Sequence, residues 1–261
     1  MLYPLDGRAW ADALCEAGFN VWAFDFAGYG ASDRYPQDLD YAAGDVEQVL
    51  PQLLRVVAAV RARNHGRRVS LLAHSWGGTV ALRYASCYAN DLASLMLFAP
   101  IVARETHDAP LDPPPMPSHL LLTAWAQYRR FIEDVPGGAE QPLSEAHFQA
   151  WSAAFLATAQ DAHTHSPPAV RSPAGPQKDV RALRSGHALY DAAAIEVPTL
   201  LIRGEWDRAC SADDANRLLS VIASPDKSSV SIPAATHLMH LESSRELLYN
   251  AVNTFLSRGA T

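Results

Sequence analysis

Short apolar runs alternate along this chain with longer amphipathic stretches, and that rhythm restricts the architectures open to it more than any other feature. Residues 19–24, 69–73, 92–99, 199–203 and 228–232 have the length and the β-branched or apolar content of strands. Residues 41–63 read as a helix, with Val46, Val49, Leu50, Leu53, Leu54, Val57 and Val60 on one face and Pro51 as a kink or break. Further helices are expected at about 77–88, 212–222 and 242–256. Such alternation predicts βα units, hence an α/β fold with a mostly parallel sheet flanked by helices on both faces.

The rhythm stops between residues 101 and 193. Pro110, Pro113, Pro114, Pro115 and Pro117 open this segment, and a second Pro-rich patch, residues 167–176, reads as another flexible joint. Between them lie helical stretches at about 120–132 and 144–160, with no strand-like alternation. Trp125, Tyr128, Phe131, Trp151 and Phe155 fall at helical spacings, which argues for a packed cap rather than a disordered linker. The expected organisation is a core of residues 1–100 and 194–261, with residues 101–193 inserted as a helical cap.

A chain of 261 residues, 49 % apolar and 19 % charged, can bury such a core without a disulfide or a structural metal. The net charge of -7 argues against nucleic acid and anionic membranes as partners. Three scattered cysteines make no disulfide framework, and no Cys-His spacing suits zinc. No signal-peptide pattern and no membrane-length apolar run are seen. The expectation is a cytoplasmic protein, monomer or homodimer, acting on a small molecule without a cofactor.

Chemistry enters at Ala73-His74-Ser75-Trp76-Gly77-Gly78, between a strand and a helix. A serine on such a turn is held in strained backbone and needs small neighbours two residues away, here Ala73 and Gly77. The amide of Trp76 then faces the place where an oxyanion would form. The bland alternative for Ser75 is a helix N-cap. Downstream, residues 200–207 run from a strand into a turn ending at Asp207, and residues 232–237 leave the last strand and end at His237. Ser, Asp and His in that order, each just after a strand, predict Ser75 as nucleophile, Asp207 as orienting acid and His237 as base. His240 and Glu205 are the competitors for base and acid. Asp213 and Asp214 read as charges at a helix start, and Asp25 and Asp33 as turn residues.

Taken with Asp25-Phe26-Ala27-Gly28-Tyr29-Gly30-Ala31-Ser32-Asp33 and His237-Leu238-Met239-His240-Leu241-Glu242, these motifs resemble the α/β-hydrolase family, in its esterase, lipase and peptidase branch with a cap. The resemblance runs from Asp6 to the C-terminus, the cap excepted, and implies the triad Ser75, Asp207 and His237. A serine rather than an aspartate at position 75 disfavours the dehalogenase and epoxide hydrolase branches. The family's His-Gly turn, which supplies a second oxyanion amide, and the strands before it have no counterpart here. The N-terminal strands are therefore expected to be truncated, with Leu2 or Tyr3 as the nearest substitute donors. His74, Trp125, Tyr128, Trp151 and His240 are candidates to line the substrate pocket, His74 from beneath the serine.

The activity these residues imply is hydrolysis of a carboxylic ester, or a thioester, of a moderately apolar small molecule. A C–C bond hydrolase or an aminopeptidase would use the same triad; the latter would need acids such as Glu133, Asp134, Glu140 or Glu145 to hold an amine. A non-catalytic binding protein of the same fold is the alternative from another class. A nucleotide-binding domain fails for want of a glycine-rich phosphate loop after any strand.

Overall fold

An apolar run becomes a strand only where a neighbour takes up its backbone hydrogen bonds, and this decides which of the expected strands form. The computed structural model describes residues 2–104 and 115–258. In chain order these form α1 (Trp10–Glu16), α2 (Val46–Arg63), β1 (Val69–His74), α3 (Trp76–Tyr88), β2 (Leu92–Phe98), β3 (His119–Thr123), α4 (Ala124–Ile132), α5 (Glu145–Ala157), β4 (Ala169–Pro173), α6 (Gly175–Arg184), β5 (Thr199–Gly204), α7 (Ala212–Val221), β6 (Lys227–Ile232) and α8 (Arg245–Arg258). Pro110, Pro113, Pro114 and His107 lie outside the described residues.

The main sheet runs β1-β2-β5-β6, every pair parallel. β2 is central and buried along nearly its whole length, which is why its sequence is an unbroken apolar run rather than an alternation. β6, at an edge, alternates exposed Lys227 and Ser229 with better-covered neighbours. One face of the sheet is covered by α2, α3 and α7, whose Leu53, Val57, Leu82, Tyr84 and Leu218 meet Leu95, Leu97 and Leu201. The other face carries α1 and α8, where Trp10 stacks on Tyr249 at 4.9 Å and meets Phe98 edge-on.

Four expectations change. Residues 19–24 carry no regular secondary structure and pair with no strand among the described residues, and Trp22 and Phe24 are exposed; β propensity without a neighbouring ladder makes no sheet. Pro51 does not end α2, which runs on through it; a proline in the second turn removes a single backbone hydrogen bond from a helix otherwise anchored by its packed face. The inserted segment does contain strands. β3 and β4 form an antiparallel ribbon, and the leucines at 120–122 belong to it because Thr123, in extended conformation, caps α4 by accepting from Ala126 N.

The second Pro-rich patch is likewise ordered rather than a loose joint. Ala174 N donates to Ser118 O and Gly175 N to Ala43 O, and Pro176 sits in the first turn of α6. Gly175 has no room for a side chain: a Cβ there would lie 2.1 Å from Asp45 N. Among the described residues, no helix is long and apolar enough to cross a membrane.

Candidate active site

Ser75 joins the end of β1 to the start of α3 with φ 53° and ψ -124°, a left-handed conformation that a side chain rarely adopts. The main chain holds it there: Ser75 N donates to Phe98 O at 3.2 Å, and Ser75 O accepts from Gly78 N at 2.9 Å and Ile101 N at 3.3 Å. Its side chain caps nothing in α3, so the helix-cap alternative is set aside. The need for small neighbours falls one residue later than the motif suggests. A Cβ on Gly77 would meet nothing within 4 Å, whereas one on Gly78 would lie 3.0 Å from Pro100 Cβ.

The loop after β6 brings His237 over this turn, with its Nε2 2.8 Å from Ser75 Oγ. The turn after β5 brings Asp207 behind it, with carboxylate oxygens 3.1 and 3.2 Å from His237 Nδ1. Both are buried, at 4 % and 3 % exposure, so the pair is shielded from water. A carboxylate only accepts, so the Nδ1 hydrogen points to Asp207 and Nε2 is left to accept the serine hydrogen. Asp207 Oδ1 also accepts from Ala209 N and Cys210 N, at 2.8 and 2.9 Å, which fixes its plane. The amide of Trp76, at the N-terminus of α3, donates to no protein group among the described residues. This arrangement can deprotonate a hydroxyl and offer an N–H to an anion beside it.

A model of the family described as serine aminopeptidase, S33, matches residues 8–244. The chain belongs to this family of hydrolases. Its fold is that of the α/β-hydrolases. It is similar to the monoacylglycerol lipase of Paleococcus ferrophilus, with 19 % identity, TM-score 0.60, and coverage of 96 % of this chain and 88 % of that one. It is similar also to a serine hydrolase involved in carbazole degradation (19 %, TM-score 0.58, 89 % and 77 %). The thioesterase domain from the curacin biosynthetic pathway is a third (19 %, TM-score 0.58, 87 % and 79 %). At these identities the likeness is one of fold. No curated protein matches the sequence.

Around the serine, this S33 family member packs two further histidines. His74 stacks on Phe98 at 4.3 Å, and its Nε2 lies 2.9 Å from His237 O. His240 packs edge-on against His74, and its buried Nδ1 has no hydrogen-bond partner among the described residues. Burial pushes the His74 imidazole well down and that of His240 down to about 3, so both are neutral in ordinary buffers. Neither reaches Ser75 Oγ; His237 does. Glu205, the other candidate acid, accepts from Ala234 N at 2.9 Å and braces the loop instead. Asp213 and Asp214 stand in the first turn of α7, as expected; Asp214 is in addition buried, at 1 % exposure, forms a capping box with Ser211 and takes a forked ion pair from Arg104. Among the described residues, no cluster of three or more His, Cys, Asp or Glu could hold a metal ion.

The remaining candidates divide. Trp125, Tyr128 and Trp151 join Phe131, Phe148 and Phe155 in an aromatic stack between α4 and α5, with Trp125 still 67 % exposed. This stack meets the histidine loop through Leu238 and Leu241. Tyr3 packs into the same cluster, Leu2 is exposed, and neither is hydrogen-bonded to the serine turn.

Glu242 is the buried group whose role the motif did not reveal. At 1 % exposure, it accepts from Thr236 N at 3.0 Å and from the Thr236 hydroxyl, tying both ends of the turn that carries His237. Burial pushes its carboxyl up to about 7, and Asp207 and Asp134 push the same way. Between the ordinary value of 4.5 and about 7, the folded chain thus keeps a proton that the unfolded chain has released. Stability contributed by this group therefore falls as pH rises through that window and levels off above it. Glu242→Gln, which mimics the protonated acid, is expected to be near neutral at pH 5 and more stable than the wild type by about 3 kcal/mol at pH 8. Urea unfolding at the two pH values measures this, and an unchanged difference would show that Glu242 does not titrate there.

Proposed function

We propose that this chain hydrolyses a carboxylic ester or thioester of a moderately apolar small molecule through an acyl-enzyme on Ser75. The observation that carries this reading is the 2.8 Å contact of Ser75 Oγ with His237 Nε2 at a strained strand-to-helix turn. Ser75 Oγ attacks the substrate carbonyl while its proton passes to His237 Nε2, and Asp207 steadies the imidazolium. The oxyanion that forms takes a hydrogen bond from the Trp76 amide and the positive end of α3. Collapse of this intermediate breaks the bond to the alcohol or thiol, which leaves with the His237 proton. Water, deprotonated by His237, then releases the acid and restores Ser75.

The aromatic segment between β2 and β5 acts in this scheme as a cap, its α4–α5 stack resting on the histidine loop and giving the acyl or alcohol group an apolar contact. An aminopeptidase is the second reading, favoured by the description of the family model. Two of the acids it would use are already engaged: Glu133 with Arg130, and Asp134 with Arg208 N. That leaves the ester ahead.

Labelling with a fluorophosphonate probe tests the nucleophile. Wild type is expected to label and Ser75→Ala to be silent, after which p-nitrophenyl esters, acyl thioesters and aminoacyl anilides separate the substrate classes. A folded wild type that does not label would overturn the catalytic reading and leave a ligand-binding protein of this fold.

A further inference from the structure

Asp179 lies in the middle of α6, within the inserted segment, and is 3 % exposed. Its Oδ2 accepts from Trp76 Nε1 at 2.8 Å and from Val46 N at 2.7 Å. One carboxylate oxygen thus joins three pieces of chain: the insert, the first turn of α2 and the residue next to Ser75. The hydrolytic scheme above requires no acid at this place, and burying a carboxylate is costly unless its hydrogen bonds are good. The indole it grips belongs to the residue whose own amide is left open beside Ser75. The Trp76 ring also packs against the apolar core under α3 and lies edge-on to Phe26 at 6.1 Å, but Asp179 is the acceptor that fixes its rotation through the indole N–H.

We propose that Asp179 is a positioning residue for the oxyanion amide, fixing Trp76 through its indole so that the main-chain N–H stays aimed beside Ser75 Oγ. The inference rests on the acyl-enzyme reading of Ser75. It makes the seating of the insert a condition of catalysis, because α6 cannot shift without pulling on Trp76. The oxyanion contact is made in the transition state and not with the resting ester, so a misaimed amide lowers kcat and leaves KM nearly unchanged.

The bond is also sensitive to acid. Burial pushes the Asp179 carboxyl up to about 6, the hydrogen bonds from Trp76 and Val46 pull it down, neighbouring Asp45 raises it and Lys178 lowers it. Asp45 and Lys178 pair with each other at 2.7 Å. Below that pH the carboxyl is neutral and a weaker acceptor, while the folded state gains from losing a buried charge. Activity therefore falls on this limb without any loss of fold.

Asp179→Ala, Trp76→Phe and the double variant, assayed for ester turnover or for fluorophosphonate labelling rate, test the proposal. Each single change is expected to lower kcat about ten- to a hundredfold with KM within about twofold. The double variant should be no worse than the poorer single, because both remove one interaction. The acid limb of the wild-type profile should also lose one ionisation in Asp179→Ala. Unchanged kcat in Asp179→Ala, effects that multiply, or a change confined to KM would overturn the positioning role while the wild type still labels. A wild type that does not label overturns the acyl-enzyme reading itself, and this inference with it.

Discussion

Asparagine at position 207 is expected to slow acylation of Ser75 by about four orders of magnitude without unfolding the protein. The reason is that the two carboxylate oxygens have unequal duties. Oδ1 accepts from Ala209 N and Cys210 N, so the asparagine carbonyl must take its place. The amide NH2 is then forced into the Oδ2 position, 3.1 Å from His237 Nδ1. A donor there turns Nδ1 into an acceptor and moves the ring hydrogen to Nε2, which can no longer accept the hydrogen of Ser75. The turn keeps its two backbone bonds, so thermal unfolding should move by only a few degrees. Labelling rates compared at matched pH check this, and an asparagine variant within tenfold of wild type would contradict the proposed relay.

Gly204→Ala should damage both activity and stability, for a reason unrelated to any side-chain chemistry. Gly204 closes β5, and a Cβ there would lie 2.3 Å from Ala235 O and 2.5 Å from Thr236 O. Backbone cannot fold aside as a flexible side chain can. This loop is also laced to the end of β5, Glu205 N donating to Ile232 O and Trp206 N to Ala235 O. The clash is thus relieved by moving the segment that ends at His237. A displacement of about 1 Å there is expected to cost about a hundredfold in labelling rate, with a stability loss of about 1–3 kcal/mol. Gly137→Ala, where a Cβ meets nothing within 4 Å, is the control and should change neither. Equal behaviour of the two variants would show that the loop after β6 has slack.

The sequence is most legible where a segment's surroundings are repeated in its own composition. β2 and β5 are covered on both faces and read as continuous apolar runs, so their limits fall within a residue or so of the expected ones. The serine turn, Asp207 and His237 stand out because each follows a strand, β1, β5 and β6 in turn. Residues 19–24 have the same local pattern, but a strand also needs a partner, and propensity does not say whether one is alongside. The leucines of β3 read as helix for the converse reason: their partner in β4 is distant in sequence and hidden in a proline-rich patch. Asp179 and Glu242 carried no local mark of their roles. What distinguishes them is burial against donors from Trp76, Val46 and Thr236, contacts that α6 and the loop after β6 create only on folding.

The main-chain bonds at Ser75 also determine what the protein becomes once the hydroxyl is removed. Ser75 N is engaged with Phe98 O, and Ser75 O with Gly78 N and Ile101 N, none of them through the side chain. Alanine at this position keeps the same backbone, the same open Trp76 amide and the same His237, and lacks only the attacking atom. If the proposed acyl-enzyme route holds, such a protein would still bind its substrate while being unable to consume it. Immobilised and exposed to a metabolite extract, it would serve as bait, and the compound it retains would name the substrate directly.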